Sequence, residues 1–186
     1  MPILAAEPAW YPDNLFESSD DAVPAERRWY VVHTPPRQEK TLARSLRRVG
    51  VPFYLPLIFR RRRPRSRTVM SHMPLFPGYV FVWADVEERI LALKTKRILH
   101  QLEVANQEQL WRELRQIERL IATGARITPE DRFAKGMTVT IRSGPLAGME
   151  GTILRSASQR RFVVNVDFIQ HGASILLNDF DLAESA

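Results

Sequence analysis

The four histidines, His33, His72, His100 and His171, are scattered singly along the 186 residues, and none has a partner at the i, i+4 spacing by which one helix face holds a metal. Cysteine is absent, which excludes a thiolate metal site, a thiol nucleophile and a disulfide scaffold. Acidic residues cluster at Asp85, Glu87 and Glu88, the pattern a metal nuclease would need. Three acids opening an apolar helical segment also complement the positive end of the helix dipole, and that reading needs no metal. No Gly-x-Ser-x-Gly, P-loop or Gly-x-Gly-x-x-Gly motif occurs, and Gly144, Gly148 and Gly151 fit turns better than a phosphate cradle. The expectation is a protein that is not an enzyme and carries no metal or cofactor.

Two other groupings carry chemistry of a different kind. Arg60, Arg61, Arg62, Arg63, Arg65 and Arg67 put six guanidinium groups into eight residues. Such a run cannot pack and repels itself, so a polyanion is its natural counterpart. Arg37, Lys40, Arg44, Arg47 and Arg48 fall together at 100° per residue on the face of a segment whose other face holds Leu42, Leu46 and Val49. Arginine contacts phosphates and, in a groove, guanine edges. The second grouping is Leu75-Phe-Pro-Gly-Tyr-Val-Phe-Val82, a turn running into a strand. The aromatic faces of Trp29, Tyr30, Phe76, Tyr79 and Phe81 can line one apolar patch suited to a partner helix.

Those groups need a scaffold, and charge divides the chain into three. Residues 1–26 hold six acids and no Lys or Arg, residues 27–122 hold 20 basic against 8 acidic residues, and residues 123–186 are balanced. The net charge of +6 therefore hides a strongly basic centre, which points to nucleic acid or another polyanion as partner. The first 26 residues, broken by four prolines, read as a disordered acidic tail. Residues 27–122 alternate as strand (Trp29-Tyr-Val-Val-His33), helix (37–49), extended segment (51–59), returning strand (68–74), strand (78–83), short helix (86–96, burying Ile90, Leu91 and Leu93), strand (99–104) and a helix opened by Asn106 and striped by Leu110, Leu114, Ile117 and Ile121. That order predicts an α+β domain, one mostly antiparallel sheet flanked by helices. Residues 123–131 read as a linker. Short strands at 138–142, 152–154, 161–168 and 173–177, with turns at 144–148 and 171–172, predict a small β-barrel over 132–186. No apolar run is long enough to span a membrane, and the lack of cysteine fits a reducing, cytoplasmic setting.

Arg28-Trp-Tyr-Val-Val32, the Pro36-Arg-Gln-Glu-Lys-x-Leu-Ala segment and Leu75-Phe-Pro-Gly-Tyr-Val-Phe-Val82 together resemble the N-terminal domain of NusG-family transcription elongation factors. Gly136-Met-Thr-Val-x-Ile-x-Ser-Gly-Pro-Leu-Ala-Gly-Met-Glu-Gly-Thr-Ile-Leu154 is similar to their KOW motif, which makes the second domain an SH3-like barrel. The resemblance implies a monomer that binds RNA polymerase through an apolar groove and holds its clamp closed. It assigns the groove to Trp29, Tyr30, His33, Phe76, Pro77, Tyr79 and Phe81, and a far-side polymerase contact to Arg89, Ile90, Leu91 and Ala92. It brings Gln38, Lys40 and the arginine run near upstream or non-template DNA, with nascent RNA within reach, and the basic helix face adds Arg37 and Arg44 to that surface. It implies that the KOW domain recruits a further factor, such as a small-subunit ribosomal protein or Rho, around Gly144, Pro145, Leu146 and Ile169.

Three departures point to a specialised, RfaH-like antiterminator rather than the general factor. Lys94-Thr-Lys-Arg-Ile-Leu-His100 replaces a glycine-containing segment, and the arginine run and the acidic tail are additions; Ile169, where relatives have an aromatic that contacts the ribosomal protein, speaks separately against ribosome coupling. The alternative is an RNA-binding or ribosome-associated KOW protein that does not touch polymerase.

Overall fold

The computed structural model describes residues 8–17, 26–62, 69–130, 137–156 and 159–177. The chain divides into two compact units, Met1–Gln107 and Glu108–Ala186.

The first unit is built on strands β1 (Trp10–Tyr11), β2 (Arg28–His33), β3 (Phe53–Tyr54), β6 (Tyr79–Ala84) and β7 (His100–Glu103), in the sheet order β1-β3-β6-β2-β7, with every neighbour antiparallel. Helices α1 (Glu39–Arg48) and α2 (Val86–Lys94) contribute Leu42, Ala43, Leu46 and Ala92 to a core with Tyr30, Val32, Val80 and Val82 of the sheet. The expected extended segment 51–59 becomes β3 and the start of β4 (Leu57–Arg62). β4 and β5 (Val69–Pro74) form a separate two-stranded hairpin. The first arginines of the basic run, Arg60–Arg62, are thus strand residues and not only a loop.

Several expectations need correction. Residues 8–17 of the presumed disordered tail are packed: β1 pairs with β3, Leu55 N–H donates to Ala9 O at 2.6 Å, and Leu15 is only 3% exposed. Trp10, Phe16 and Tyr54 form an aromatic cluster, Phe16 meeting Tyr54 edge-on at 4.8 Å. β3 is consequently not the edge of the sheet. The remainder of that tail, residues 1–7 and 18–25, lies outside the described residues. In α2 the buried residue is Ala92, whereas Ile90, Leu91 and Leu93 are exposed. The cause is the helix phase: Ala92 packs in the core with α1 and the sheet, which turns Ile90, Leu91 and Leu93 outward, while the Asp85 carboxylate caps the helix start by accepting Glu88 N–H. Val49 is exposed past the end of α1, and Arg37 precedes the helix in a left-handed conformation (φ 65°).

The second unit carries α3 (Gln107–Ala122, its first residue closing the first unit) and the five-stranded antiparallel sheet β8-β12-β11-β10-β9. Its strands are β8 (Thr128–Glu130), β9 (Met137–Thr140), β10 (Glu150–Ser156), β11 (Gln159–Val166) and β12 (His171–Leu177). The expected linker 123–131 therefore supplies a strand, since β8 pairs with β12, and the division between units falls at 107/108. The final turn is a 3-10 turn at Asp167–Ile169 closed by Gln170 at φ 56°, with His171 and Gly172 inside β12 instead of at the turn. Gly151 is required where β10 crosses β11, because a Cβ there would lie 2.5 Å from Val163 O. Among the described residues no helix is long and apolar enough to cross a membrane.

Candidate functional site

The Phe76-Pro-Gly turn is the best-fixed feature of the first unit. Gly78 adopts φ +85°, a conformation that other residues reach only with strain. Its N–H donates to the Glu39 carboxylate at 2.8 Å, its carbonyl accepts Thr34 N–H at 2.9 Å, and Tyr79 N–H donates to Phe76 O at 3.2 Å. Glu39 is buried at the first turn of α1, so the helix start and the turn are locked together. The segment after α2 joins them. Thr34 Oγ1 donates to Arg97 O at 2.8 Å, Arg97 Nη1 donates to Gln38 Oε1 at 2.9 Å, and Leu99 N–H donates to His33 O at 2.8 Å.

This frame arranges the groove residues in two classes. His33 lies opposite Tyr79 on one neighbouring strand and opposite His100 on the other. The three rings form a row, His33 to Tyr79 at 5.3 Å and His33 to His100 at 6.4 Å, stacked. His33 and Tyr79 are half-buried, and Pro77 and His100 are exposed. Leu99 and Leu102 extend the apolar surface beside them. The sequence reading missed His100 and Leu102. Their register against His33 and Val31 would have revealed them only once the strand pairing was known.

Trp29, Phe76 and Phe81 are buried instead, with Phe76 and Phe81 edge-to-face at 6.3 Å. Tyr30 does not belong to this patch. It sits in the α1 and α2 core, under the Arg89 guanidinium at 5.7 Å. Side chains alternate along a strand, so Tyr30 and His33 point to opposite faces.

A cleft of about 550 Å3 opens beside the row, between the α1 start, the turn and β5. Arg37, Lys40, His33 and His72 bring cationic or protonatable groups to its walls, and Glu39 supplies the carboxylate already bonded to Gly78. Arg44 continues the exposed basic surface one helical turn beyond Lys40 and is bonded to Lys40 O at 3.3 Å. Gln38 is engaged by Arg97. Arg60 is half-buried on β4 and Arg61 and Arg62 follow it, whereas Arg63, Arg65 and Arg67 lie outside the described residues.

The acidic cluster is accounted for by α2 itself. Asp85 caps the helix, and Glu88 accepts both Asp85 N–H at 3.0 Å and the Arg27 guanidinium at 2.6 and 2.9 Å. That bond raises the pKa of Arg27, whose guanidinium also lies 5.2 Å over the Trp83 ring. Within 89–92, Arg89 and Ala92 are turned inward to different degrees and Ile90 and Leu91 face out. Val86, Ile90 and Leu93 make one exposed stripe at i, i+4 and i+7.

In the second unit, Gly144 and Pro145 are exposed, and Leu146 and Ile169 are buried. α3 docks next to both turns. Gln116 Oε1 accepts Glu150 N–H at 2.8 Å, and Arg119 donates to Ala147 O at 2.8 Å. Glu113 accepts Asp167 N–H at 3.1 Å, and Gln109 bridges the Glu113 and Asp167 carboxylates at 2.9 and 2.8 Å. Burial pushes the Glu113 carboxyl up to about 7, aided by the Asp167 charge and opposed by the hydrogen bonds from Gln109 and the Asp167 backbone.

A structure described as domain interaction in Thermotoga maritima NusG is similar at 21% identity over 82% of this chain and 93% of that one, with a TM-score of 0.43. The crystal structure of the MjSpt4:Spt5 complex, conformation A, is similar at 18% identity over 81% of this chain and 98% of that one, with a TM-score of 0.28. No curated protein sequence matches. The family described as transcription termination factor nusG matches residues 27–129, more than half of the chain. The chain belongs to the NusG family, a family of non-enzymatic transcription factors.

Proposed function

We propose that the protein is a transcription elongation factor that grips RNA polymerase with the His33–Tyr79–His100 row and the exposed Pro77. Phe76 and Phe81 are buried next to that surface, and Trp29 is buried four residues along β2 from His33, against Trp83. The single observation that carries this reading is the half-exposed ring row held over a turn that α1 locks through Glu39. A rigid, partly apolar ridge can seat a helix without first being ordered, which keeps the entropic cost of binding low. The outward face of α2, with Ile90 and Leu91, supplies the second contact on the far side. A factor that touches both sides of the polymerase cleft favours the closed clamp by its differential affinity for that state, and pausing loses population.

The basic cleft and the hairpin arm face the DNA of the elongation complex in this reading. The residues 137–177 serve as a KOW domain that recruits a further factor such as a ribosomal protein or Rho, with Gly144 and Pro145 as its accessible part and Leu146 and Ile169 as packing beneath. The Lys94–His100 segment and the arginine run favour the operon-specific, RfaH-like role over the general one, and Ile169 speaks against ribosome coupling.

Nuclease-treated pull-down of RNA polymerase tests the reading. Retention of polymerase after all nucleic acid is removed supports it. Capture of RNA or ribosomes in place of polymerase supports the alternative, an RNA-binding KOW protein.

A further inference from the structure

Phe59 is the most exposed large apolar ring among the described residues, 56% exposed on β4. Leu57, on the same face of the strand two residues earlier, is buried. The burial available to the arm thus ends before Phe59, and the sequence still places a phenyl ring in water there. Phe59 pairs directly with His72 on β5, their rings 5.2 Å apart and tilted by 55°. Arg60, Arg61 and Arg62 continue the same strand, and His72 lines the cleft that Arg37 and Lys40 also line.

We propose that Phe59 and His72 form a stacking site for an unpaired base of single-stranded nucleic acid, a reading that rests on the nucleic-acid contact proposed above and adds residues to it. Single strands are held by cations that follow the phosphates and by aromatic rings that take the bases, each insufficient alone. The arm supplies both within one hairpin. The arginines that follow Phe59 along the chain supply charge for phosphates, and the exposed Phe59 ring, with the His72 imidazole tilted beside it, offers an aromatic face for a base. A duplex cannot use that surface, because its bases are already stacked, so the site selects unpaired strands. A protein partner would have to bring a dense acidic patch against the arginines and a pocket for Phe59, whereas a nucleic-acid strand carries both features in every nucleotide.

The test uses the intact chain and labelled twelve-nucleotide oligomers, oligo-dT and oligo-U, each also prepared with abasic positions. Phe59→Ala is expected to weaken binding of the intact oligomers by about 5- to 150-fold. The salt dependence should be unchanged, since no phosphate contact is lost. Phe59→Trp should bind as the wild type does and show quenched emission in the complex. The abasic oligomers should bind wild type as weakly as they bind Phe59→Ala. Whichever of oligo-dT and oligo-U shows the larger loss identifies the natural polymer. Equal binding by wild type and Phe59→Ala, alongside a clear loss when the six arginines are changed to Ser, would overturn the stacking site and leave the nucleic-acid reading standing. Failure of the wild type to bind any oligomer would overturn both. A Phe59→Ala defect confined to polymerase free of nucleic acid would make the arm a protein contact and overturn the stacking site.

Discussion

The Glu39 carboxylate accepts the backbone N–H of Gly78 at 2.8 Å, although 39 residues separate them. Both groups are buried, so losing the acceptor leaves an amide with no water to replace it. Glu39→Ala should destabilise the first unit by about 2 kcal/mol, and Glu39→Gln, which keeps an acceptor, by less. Gly78→Ala should be at least as costly, because its Cβ would meet His33 Nε2 at 3.0 Å with φ already +85°. Urea denaturation of the three variants checks the ranking. Equal stability of Glu39→Ala and wild type would remove the lock from the account.

The residues 8–17 should stabilise the sheet they join. Leu15→Ala is expected to cost about 2–4 kcal/mol, the range for emptying a buried leucine site. Removing residues 1–17 should also uncover the β3 edge and raise the tendency to aggregate. Thermal unfolding and light scattering on the shortened chain measure both effects. An unchanged midpoint would show that the segment merely rests on the domain.

Much of this was legible in the sequence, for identifiable reasons. β2 and β6 announce themselves as unbroken β-branched and aromatic runs, and the Leu42 and Leu46 stripe of α1 faces the core as its spacing requires. The same runs hide which face is which. Trp29 through Val32 are all buried, so no polar alternation reveals that Tyr30 turns towards α1 and α2. α2 misleads because apolar residues lie on several of its sides, and only its packing in the core cluster reveals that Ala92 faces in. β1 and β8 are two and three residues long and lie beside or contain a proline, so pairing partners that arrive much later in the chain create them. The basic arm was visible as charge, but its Phe59 and His72 pair exists only through register.

The Glu113 carboxyl makes a pH prediction. Unfolded, it titrates near 4.5, and folded near 7, so between those values the unfolded chain releases a proton that the folded chain keeps. Stability from this group is full below 4.5 and declines as pH rises through 7. Glu113→Gln keeps an acceptor for Asp167 N–H and carries no charge, so it should be more stable than wild type at pH 8 and similar at pH 4.5. Urea denaturation of the intact proteins at both pH values reads the difference. Parallel behaviour at the two values would mean that Glu113 is solvated in the folded state.

The arginine run predicts a salt effect. If three or four of Arg60–Arg63, Arg65 and Arg67 meet phosphates, changing all six to Ser should flatten the log–log salt dependence of binding to assembled elongation complexes by roughly 2–3 units. The loss should not depend on DNA sequence unless an arginine reads a base edge. Parallel salt lines for wild type and variant would leave the run without a nucleic-acid role.

The central claim concerns the ring row, and its burial pattern makes the decisive comparison available. Tyr79 is half-buried at the surface, whereas Phe76 lies in the core. Tyr79→Ala should therefore leave the fold stable and weaken binding, and Phe76→Ala should cost about 3–5 kcal/mol of stability first. The measurement is the affinity of the folded wild-type and Tyr79→Ala proteins for core RNA polymerase stripped of nucleic acid. The account predicts measurable binding by wild type and a loss of about 30-fold or more for Tyr79→Ala, corresponding to about 2 kcal/mol at an interface anchor. Equal affinity of the two proteins, or no binding by either, would contradict it.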